Sequence, residues 1–370
     1  MSLESYILEL QKKESPGMVG RLVLGGLSLL ETIYGKGVLR KYKKVSENVV
    51  TINIPVISVG NITAGGTGKT PFIIEIAEEI KKKGYHPAVL SRGYKSALED
   101  KGGIVSDGKN ILVTPEMAGD EPYMMALQLP GIPVLVGKDR IASAEKAAEF
   151  RTDILLLDDG FQYWEMKHDL EIVLIDCTNP FGYDHMIPRG LLREPLEGLK
   201  RADIFILTKS NQVSDEIRKE IRERLYLYNP GSPILESEHE PSKLILFNNW
   251  KKQNIQNEMD KRKGAKAFLL SGIGNPDAFA NTVKDAGLYP AGDMFLEDHH
   301  SYVGEDIKKA IQKANDIKAD MIVVTEKDAV KMLSLQEAVT SEIPVYVLCI
   351  TINYSEEDRE KLQNLWRKLL

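Results

Sequence analysis

The period of the apolar positions changes along this chain, and the changes mark out its parts. Between residues 17 and 45 apolar side chains fall at Val19, Leu22, Val23, Leu27, Leu30, Ile33 and Tyr34, close to the spacing of one helical face. Arg21, Lys36, Arg40, Lys41, Lys43 and Lys44 crowd around them. A basic amphipathic helix is expected within residues 1–47, either packed on the next domain or lying on a membrane surface. Gly25, Gly26 and Gly35 weaken that helix without excluding it. From residue 48, short apolar runs alternate with helical spacing. Strands are predicted at 49–59, 87–90, 134–136, 153–157, 172–176 and 204–207, and helices at 70–83, 121–128, 140–149 and 214–226. These strands lack polar alternation, as in a parallel sheet covered by helices on both faces. A polar stretch over 229–265 reads as a linker. A smaller α/β block fills 266–370, with strands at 267–271, 321–325 and 345–350 and helices near 277–286, 305–315 and 355–369. The expected architecture is an N-terminal helix, an α/β core over 48–228 and a C-terminal α/β domain.

Composition narrows the class. The 370 residues are 43% hydrophobic and 28% charged, enough for a sizeable core and unlike a disordered chain or a polytopic membrane protein. The net charge, 48 − 54 = −6, argues against sequence-independent binding to duplex nucleic acid. Cys177 and Cys349 lie in apolar runs and are expected as buried free thiols in a reducing compartment. A structural zinc site would need more Cys and His at short spacing. The N-terminus shows no secretory pattern. The longest uncharged stretch nearby, 22–30, has nine residues, whereas a membrane span needs about 20. A cytoplasmic protein is expected.

The clearest chemistry lies in residues 56–71, where a β run enters a glycine-rich turn and a helix leaves it. Gly65, Gly66, Thr67 and Gly68 would turn backbone N–H groups toward a phosphate chain, and the helix N-terminus adds its positive dipole end. Lys69 would reach the β- and γ-phosphates, and the Thr70 hydroxyl would bind Mg2+. The usual pattern G-x-x-x-x-G-K-[ST] has glycine where this chain has Thr63, so the loop is a variant. A second apolar run, 154–157, ends in Asp158 and Asp159, carboxylates suited to the metal side of a phosphate loop. The run Thr208-Lys209-Ser210-Asn211 resembles the guanine-reading tetrapeptide of GTPases. Asn211 replaces its acid, which favours ATP; the run also fits a plain exit from a strand.

Other polar clusters have no place in nucleotide binding alone. They are Ser91-Arg92-Gly93-Tyr94, Gly119-Asp120-Glu121-Pro122, Arg193-Glu194-Pro195 and Asp298-His299-His300. Locally, Asp120 reads equally well as a helix cap and Arg193–Glu194 as a surface ion pair. Together they suit a kinase, which needs a charge clamp, a metal and a group to take a hydroxyl proton; Asp120 with His299 fits the last role.

At this point the sequence resembles the tetraacyldisaccharide 4'-kinase (lipid A 4'-kinase) family. The matching pieces are 58–71, 91–94, 119–122, 158–162, 191–195, 298–300 and Thr325-Glu326-Lys327-Asp328, all in order. The resemblance implies a phosphate-loop α/β core with a smaller C-terminal α/β domain. It implies transfer of the ATP γ-phosphate to the 4'-hydroxyl of a tetraacylated glucosamine disaccharide 1-phosphate, giving lipid IVA at the cytoplasmic face of the inner membrane. Asp120 and His299 then match the acid/base pair; Asp158, Asp159 and Glu194 the metal-side carboxylates; and Arg193 the phosphate-side arginine. Ser91 and Arg92 line the site. The family usually has His where this chain has Tyr163, and Leu-x-Arg-Asp where it has Trp164 to Asp169; Lys167 or His168 are the cations nearest to that gap. Two other classes stay open on motifs alone. One is a membrane-surface ATPase of the partitioning type, although its loop begins with lysine where Ala64 stands here. The other is a nucleotide-regulated binding module without transferase activity.

Overall fold

The computed structural model describes residues 7, 10, 11, 17–298 and 300–370. Its main elements are α1 (Met18–Ser46), β1 (Val56–Gly60), α2 (Lys69–Lys82), β2 (Pro87–Ser91), β3 (Gly103–Asp107), α3 (Asp120–Gln128), β4 (Pro133–Val136), α4 (Arg140–Ala147), β5 (Ile154–Asp158), β6 (Leu170–Asp176) and β7 (Ile204–Thr208). There follow α5 (Asp215–Tyr228), β8 (Ile234–Glu236), β9 (Glu238–Leu246), β10 (Lys266–Ser271), α6 (Pro276–Asp285), β11 (Tyr289–Phe295), α7 (Gly304–Asp316), β12 (Met321–Thr325), α8 (Glu326–Lys331), β13 (Val345–Asn353) and α9 (Glu356–Arg367). The chain folds into two compact units. One contains residues up to 69, 153–237 and 354–370; the other contains 70–152 and 238–353.

In the first unit five parallel strands run in the order β5-β1-β6-β7-β8. β1, β5, β6 and β7 are buried along their whole length, which is why their sequences carry no polar alternation. Phe161, Val173, Phe205 and Leu207 pack with Ile221 and Leu225 of α5. Each such side chain contributes roughly 1.5–3 kcal/mol on burial.

Helix α1 lies on this unit by one face. Gly35 meets Met186 so closely that an added Cβ would stand 2.4 Å from its Cε. Glu31 Oε1 accepts from the Met186 amide (2.8 Å), and Tyr34 Oη donates to the Arg193 carbonyl (3.0 Å). The opposite face is apolar and open: Met18, Val19, Leu22, Leu29 and Ile33 are 62–83% exposed. The packed reading therefore describes one side of the helix, and the other side is left exposed. By length and composition alone it is apolar enough to cross a membrane, more than the nine-residue stretch suggested. Its polar ties lay it along the unit instead.

The second unit contains two groups of paired strands. In one, β4 pairs β2 in parallel and β3 antiparallel. The other has the order β11-β10-β12-β13-β9, parallel except for β9. Trp250, Leu270, Ile307 and Val347 pack on one side of it, and Leu269, Phe279, Val283 and Tyr346 on the other.

The strand expected from residue 49 starts at Val56. Pro55 has no N–H to give a ladder, though its carbonyl accepts from Leu155 N (2.9 Å). Residues 229–265 carry β8, β9 and a short helix, Phe247–Lys251. Strands β3 and β11 had no long apolar run to announce them, and β9 has one only at its end, Leu244-Ile245-Leu246, after a polar start; each stands at an edge among its own unit's strands. The β9–β13 register slips between Cys349 and Ile350, opposite Pro241, which an edge position tolerates. Cys177 and Cys349 are free and buried, as expected.

Candidate active site

The phosphate loop is held open by its surroundings. Gly60, the last residue of β1, admits no side chain: a Cβ there would stand 2.5 Å from that of Phe161. Gly65 takes φ +113°, which other residues rarely adopt. Thr63 sits in extended backbone and forms an antiparallel bridge with Leu192; flanking it, Ala64 N donates to Leu191 O and Arg193 N to Ile62 O, both at 2.7 Å. Asn61, fully buried, donates from Nδ2 to the Thr63 carbonyl (2.6 Å) and hydroxyl (3.1 Å). The threonine in place of glycine is accommodated because this half of the loop is paired as a strand rather than turned tightly.

Lys69 opens α2. Its ammonium donates to Asn61 Oδ1 (3.0 Å) and lies 3.4 Å from Asp159. Arg193 grips Asp159 with two bonds, Nη1–Oδ2 2.7 Å and Nη2–Oδ1 2.8 Å, and also reaches Asn61. Asp159 holds φ +54°, an unfavourable conformation for a non-glycine residue and the kind of strain stored at functional sites. Asp158, buried at the end of β5, precedes it. Asp158, Asp159, Arg193 and Lys69 are thus brought together around the loop.

Glu194 is placed differently from its neighbour. Its oxygens accept from Arg201 Nη2 (2.9 and 2.8 Å) and Gln162 Nε2 (2.7 Å). Burial pushes its pKa up, against the pull of Arg201 and Gln162. Gln162 also donates to the Asn61 carbonyl (2.9 Å), so Glu194 braces the loop from behind. Arg201 stacks on Phe161, 4.3 Å from the ring centre.

In the second unit, the first turn of α3 faces α8. Lys327 Nζ lies 3.1 Å from Glu121 and 3.7 Å from Asp298, and Lys331 Nζ lies 3.9 Å from Asp120 and 3.8 Å from Asp328. His299 lies outside the described residues. Its neighbour Asp298 shares Lys327 with Glu121, the residue next to Asp120. His300 is turned to Asp306, Nε2–Oδ2 2.9 Å, and is thereby committed to the start of α7. Ser91 closes β2 and is buried, and Arg92 Nε donates to Glu99 Oε1 (2.6 Å).

Glu326 lines a cavity of about 410 Å3 with Ile74, Met124, Gln128 and Trp250. Burial raises its pKa from 4.5 to about 7, although Cys349, the Ile350 amide and Trp250 favour the charged form. A carboxyl raised on folding stabilises fully below about pH 4.5 and loses that contribution as pH rises through 7. Glu326→Gln should therefore flatten the stability profile between those values, by on the order of 1–3 kcal/mol. Denaturant unfolding at pH 5 and pH 8 measures this; equal slopes for variant and wild type would contradict it.

A family model described as tetraacyldisaccharide-1-P 4'-kinase matches residues 22–369. The chain belongs to that family. It is 39% identical over 363 residues to the tetraacyldisaccharide 4'-kinase of Halothermothrix orenii, covering 95% of this chain and 94% of that one. It is 38% identical over 321 residues to the tetraacyldisaccharide 4'-kinase of Syntrophus aciditrophicus, covering 84% and 85%. Its fold is similar to a crystal structure of the "apo" form of LpxK from Aquifex aeolicus in complex with ATP. That match has TM-score 0.71 and 27% identity and covers 94% of this chain and 99% of the other.

Within this kinase family, the two cations nearest to the chain's departures already have partners. Lys167 pairs with Asp169 (3.1 Å) and His168 with Glu171 (2.7 Å), so each is committed beside the start of β6. Two residues of the site escaped the sequence reading as functional groups, Asn61 and Arg201, and a third, Lys209, stood in a tetrapeptide read only as a possible base-reading run. Asn61 lies inside the glycine-loop motif; Arg201 pairs with Glu194 seven positions before it, and Lys209 with Asp176, 33 positions before it.

Proposed function

We propose that this chain transfers the γ-phosphate of ATP to the 4'-hydroxyl of a tetraacyldisaccharide 1-phosphate, giving lipid IVA in lipid A biosynthesis. The observation that carries the reading is the Lys69 ammonium, fixed by Asn61 and Asp159 beside the glycine run of a chain matching this kinase family almost end to end. The loop fits a triphosphate: among the described residues, the buried Thr67 hydroxyl and Arg193 Nε have no hydrogen-bond partner. Gly65, Gly66, Thr67, Gly68 and Lys69 would hold the phosphates, with Arg193 beside them. Asp158, Asp159 and the Thr70 hydroxyl suit Mg2+. Mg2+ takes much of its coordination from waters and substrate phosphates, so these few protein groups would suffice. Bound there, the ion would neutralise charge on the transferring group. Glu194 supports this arrangement through Gln162. Asp120 takes the acceptor's proton, with His299 orienting or sharing it, and Ser91 and Arg92 join the residues that line the cofactor site.

Purified protein with Mg-ATP and the acylated disaccharide 1-phosphate in detergent should yield a product heavier by one phosphoryl group at the 4' position. ATP turnover independent of the acceptor would instead favour the partitioning-type ATPase.

The open face of α1 supports peripheral attachment to the cytoplasmic face of the inner membrane. Leu22→Glu, Leu29→Glu and Ile33→Glu together should cut co-sedimentation with anionic vesicles by at least tenfold, since each buried Leu or Ile contributes roughly 1.5–3 kcal/mol. Turnover in detergent should be unchanged. Unaltered sedimentation would leave the helix with a packing role only. Deleting 1–45 is the poorer test, because it also removes the Tyr34 and Glu31 bonds.

A further inference from the structure

Thr208 and Lys209 leave β7 beside the phosphate loop and bind it from outside. Thr208 Oγ1 donates to the Thr67 carbonyl (3.0 Å), and the Lys209 ammonium donates to the Gly66 carbonyl (3.1 Å). The same ammonium is ion-paired with Asp176 at the end of β6; the two side chains are only 6% and 9% exposed. Asp176 Oδ1 accepts in turn from the Thr178 amide (2.9 Å) and hydroxyl (2.7 Å). Lys209 itself stands at φ +56°, unfavourable for a lysine. The sheet does not need this arrangement, because β6 and β7 already pair through their backbones from Ile172–Ile204 to Asp176–Thr208. A buried ion pair is costly to assemble and adds little to stability on its own account.

In a trans peptide the C=O and N–H point in opposite directions. Pinning the carbonyls of Gly66 and Thr67 therefore turns the N–H groups of Thr67 and Gly68 away from Lys209 and Thr208; the Thr67 N–H donates to the Gly65 carbonyl (3.1 Å) and closes the turn, which leaves the Gly68 N–H as the donor set by the Thr67 peptide. We propose that Lys209, seated on Asp176 and helped by Thr208, is a positioning residue for ATP: it fixes the turn through Gly65, Gly66 and Thr67 so that the Gly68 N–H faces the phosphates. The tetrapeptide that looks like a base-reading motif thus acts on the loop. This inference rests on the ATP reading above.

The test is equilibrium binding of a non-hydrolysable ATP analogue with Mg2+ to the full chain, beside its Tm. Lys209→Met should weaken binding on the order of tenfold or more, the loss expected for one charge-assisted hydrogen bond, and lower Tm by leaving Asp176 unpaired. The double variant Asp176→Asn/Lys209→Met removes both charges. It should recover most of the Tm while binding stays weak. Thr208→Val, nearly isosteric and uncharged, should weaken binding about threefold, and it carries the test with the double variant if Lys209→Met fails to fold. The KM for the lipid acceptor should not move in any of them. A double variant that binds the analogue as wild type does would overturn the proposal and leave the pair a purely structural role. A wild-type chain that binds no analogue would remove the ATP reading and this inference together.

Discussion

Lys69→Ala is expected to lower kcat by ~10²–10³-fold, the range seen when one preorganised donor to a developing charge is lost. The Lys69 side chain is 17% exposed, and its ammonium is held by Asn61 Oδ1 and Asp159. Its removal leaves Asp159 gripped by Arg193, so no buried charge is stranded. The fold should therefore survive, with Tm within a few degrees of wild type. Lys69→Arg keeps the charge but changes its shape and reach, and should recover only part of the rate. Kinetics with both substrates saturating, alongside a melting curve, separates the outcomes. Unchanged kcat in Lys69→Ala would remove the phosphate-loop assignment.

The second large effect concerns acid/base work. Asp120→Ala and His299→Ala should each lower kcat by ~10²–10⁴-fold, the usual contribution of a general acid or base. Acting as one unit, they should give a double variant hardly worse than either single one. Affinity for ATP should barely change, since neither belongs to the phosphate loop. Asp120 begins α3, whose first turn is tied to α8 by Lys327 and Lys331, and Lys327 also holds Asp298. His300 is the weaker candidate because Asp306 already engages it. His300→Ala should cost stability at the start of α7 more than it costs rate. Independent, multiplicative losses at Asp120 and His299 would refute the pairing, and so would a His299→Ala enzyme with normal kcat.

What could be read from residues alone follows from how the signal is carried. β1, β5, β6 and β7 are buried on both faces, so their sequences are continuous apolar runs. Edge strands bury little: β9 begins Glu238-His239-Glu240-Pro241 and looks like a linker until β13 is there to pair with it. The same contrast holds at the site. Residues 60–70, Asp158, Asp159 and Arg193 lie in short strings where the chemistry needs several residue types in fixed order. The Lys209–Asp176 pair spans 33 positions, and nothing periodic connects its two ends. Arg193 and Glu194 are adjacent yet face different partners, Asp159 and Arg201, a divergence that spacing cannot reveal.

Tyr34 of α1 donates to the carbonyl of Arg193, whose guanidinium holds Asp159. The helix with the open apolar face and the arginine beside the phosphate loop are therefore one hydrogen bond apart. With the proposed attachment to a bilayer, the enzyme would meet its acylated acceptor by diffusion in two dimensions. Its rate should follow the surface density of that lipid, so diluting the acceptor with inert lipid at constant bulk concentration should slow turnover as removing substrate does.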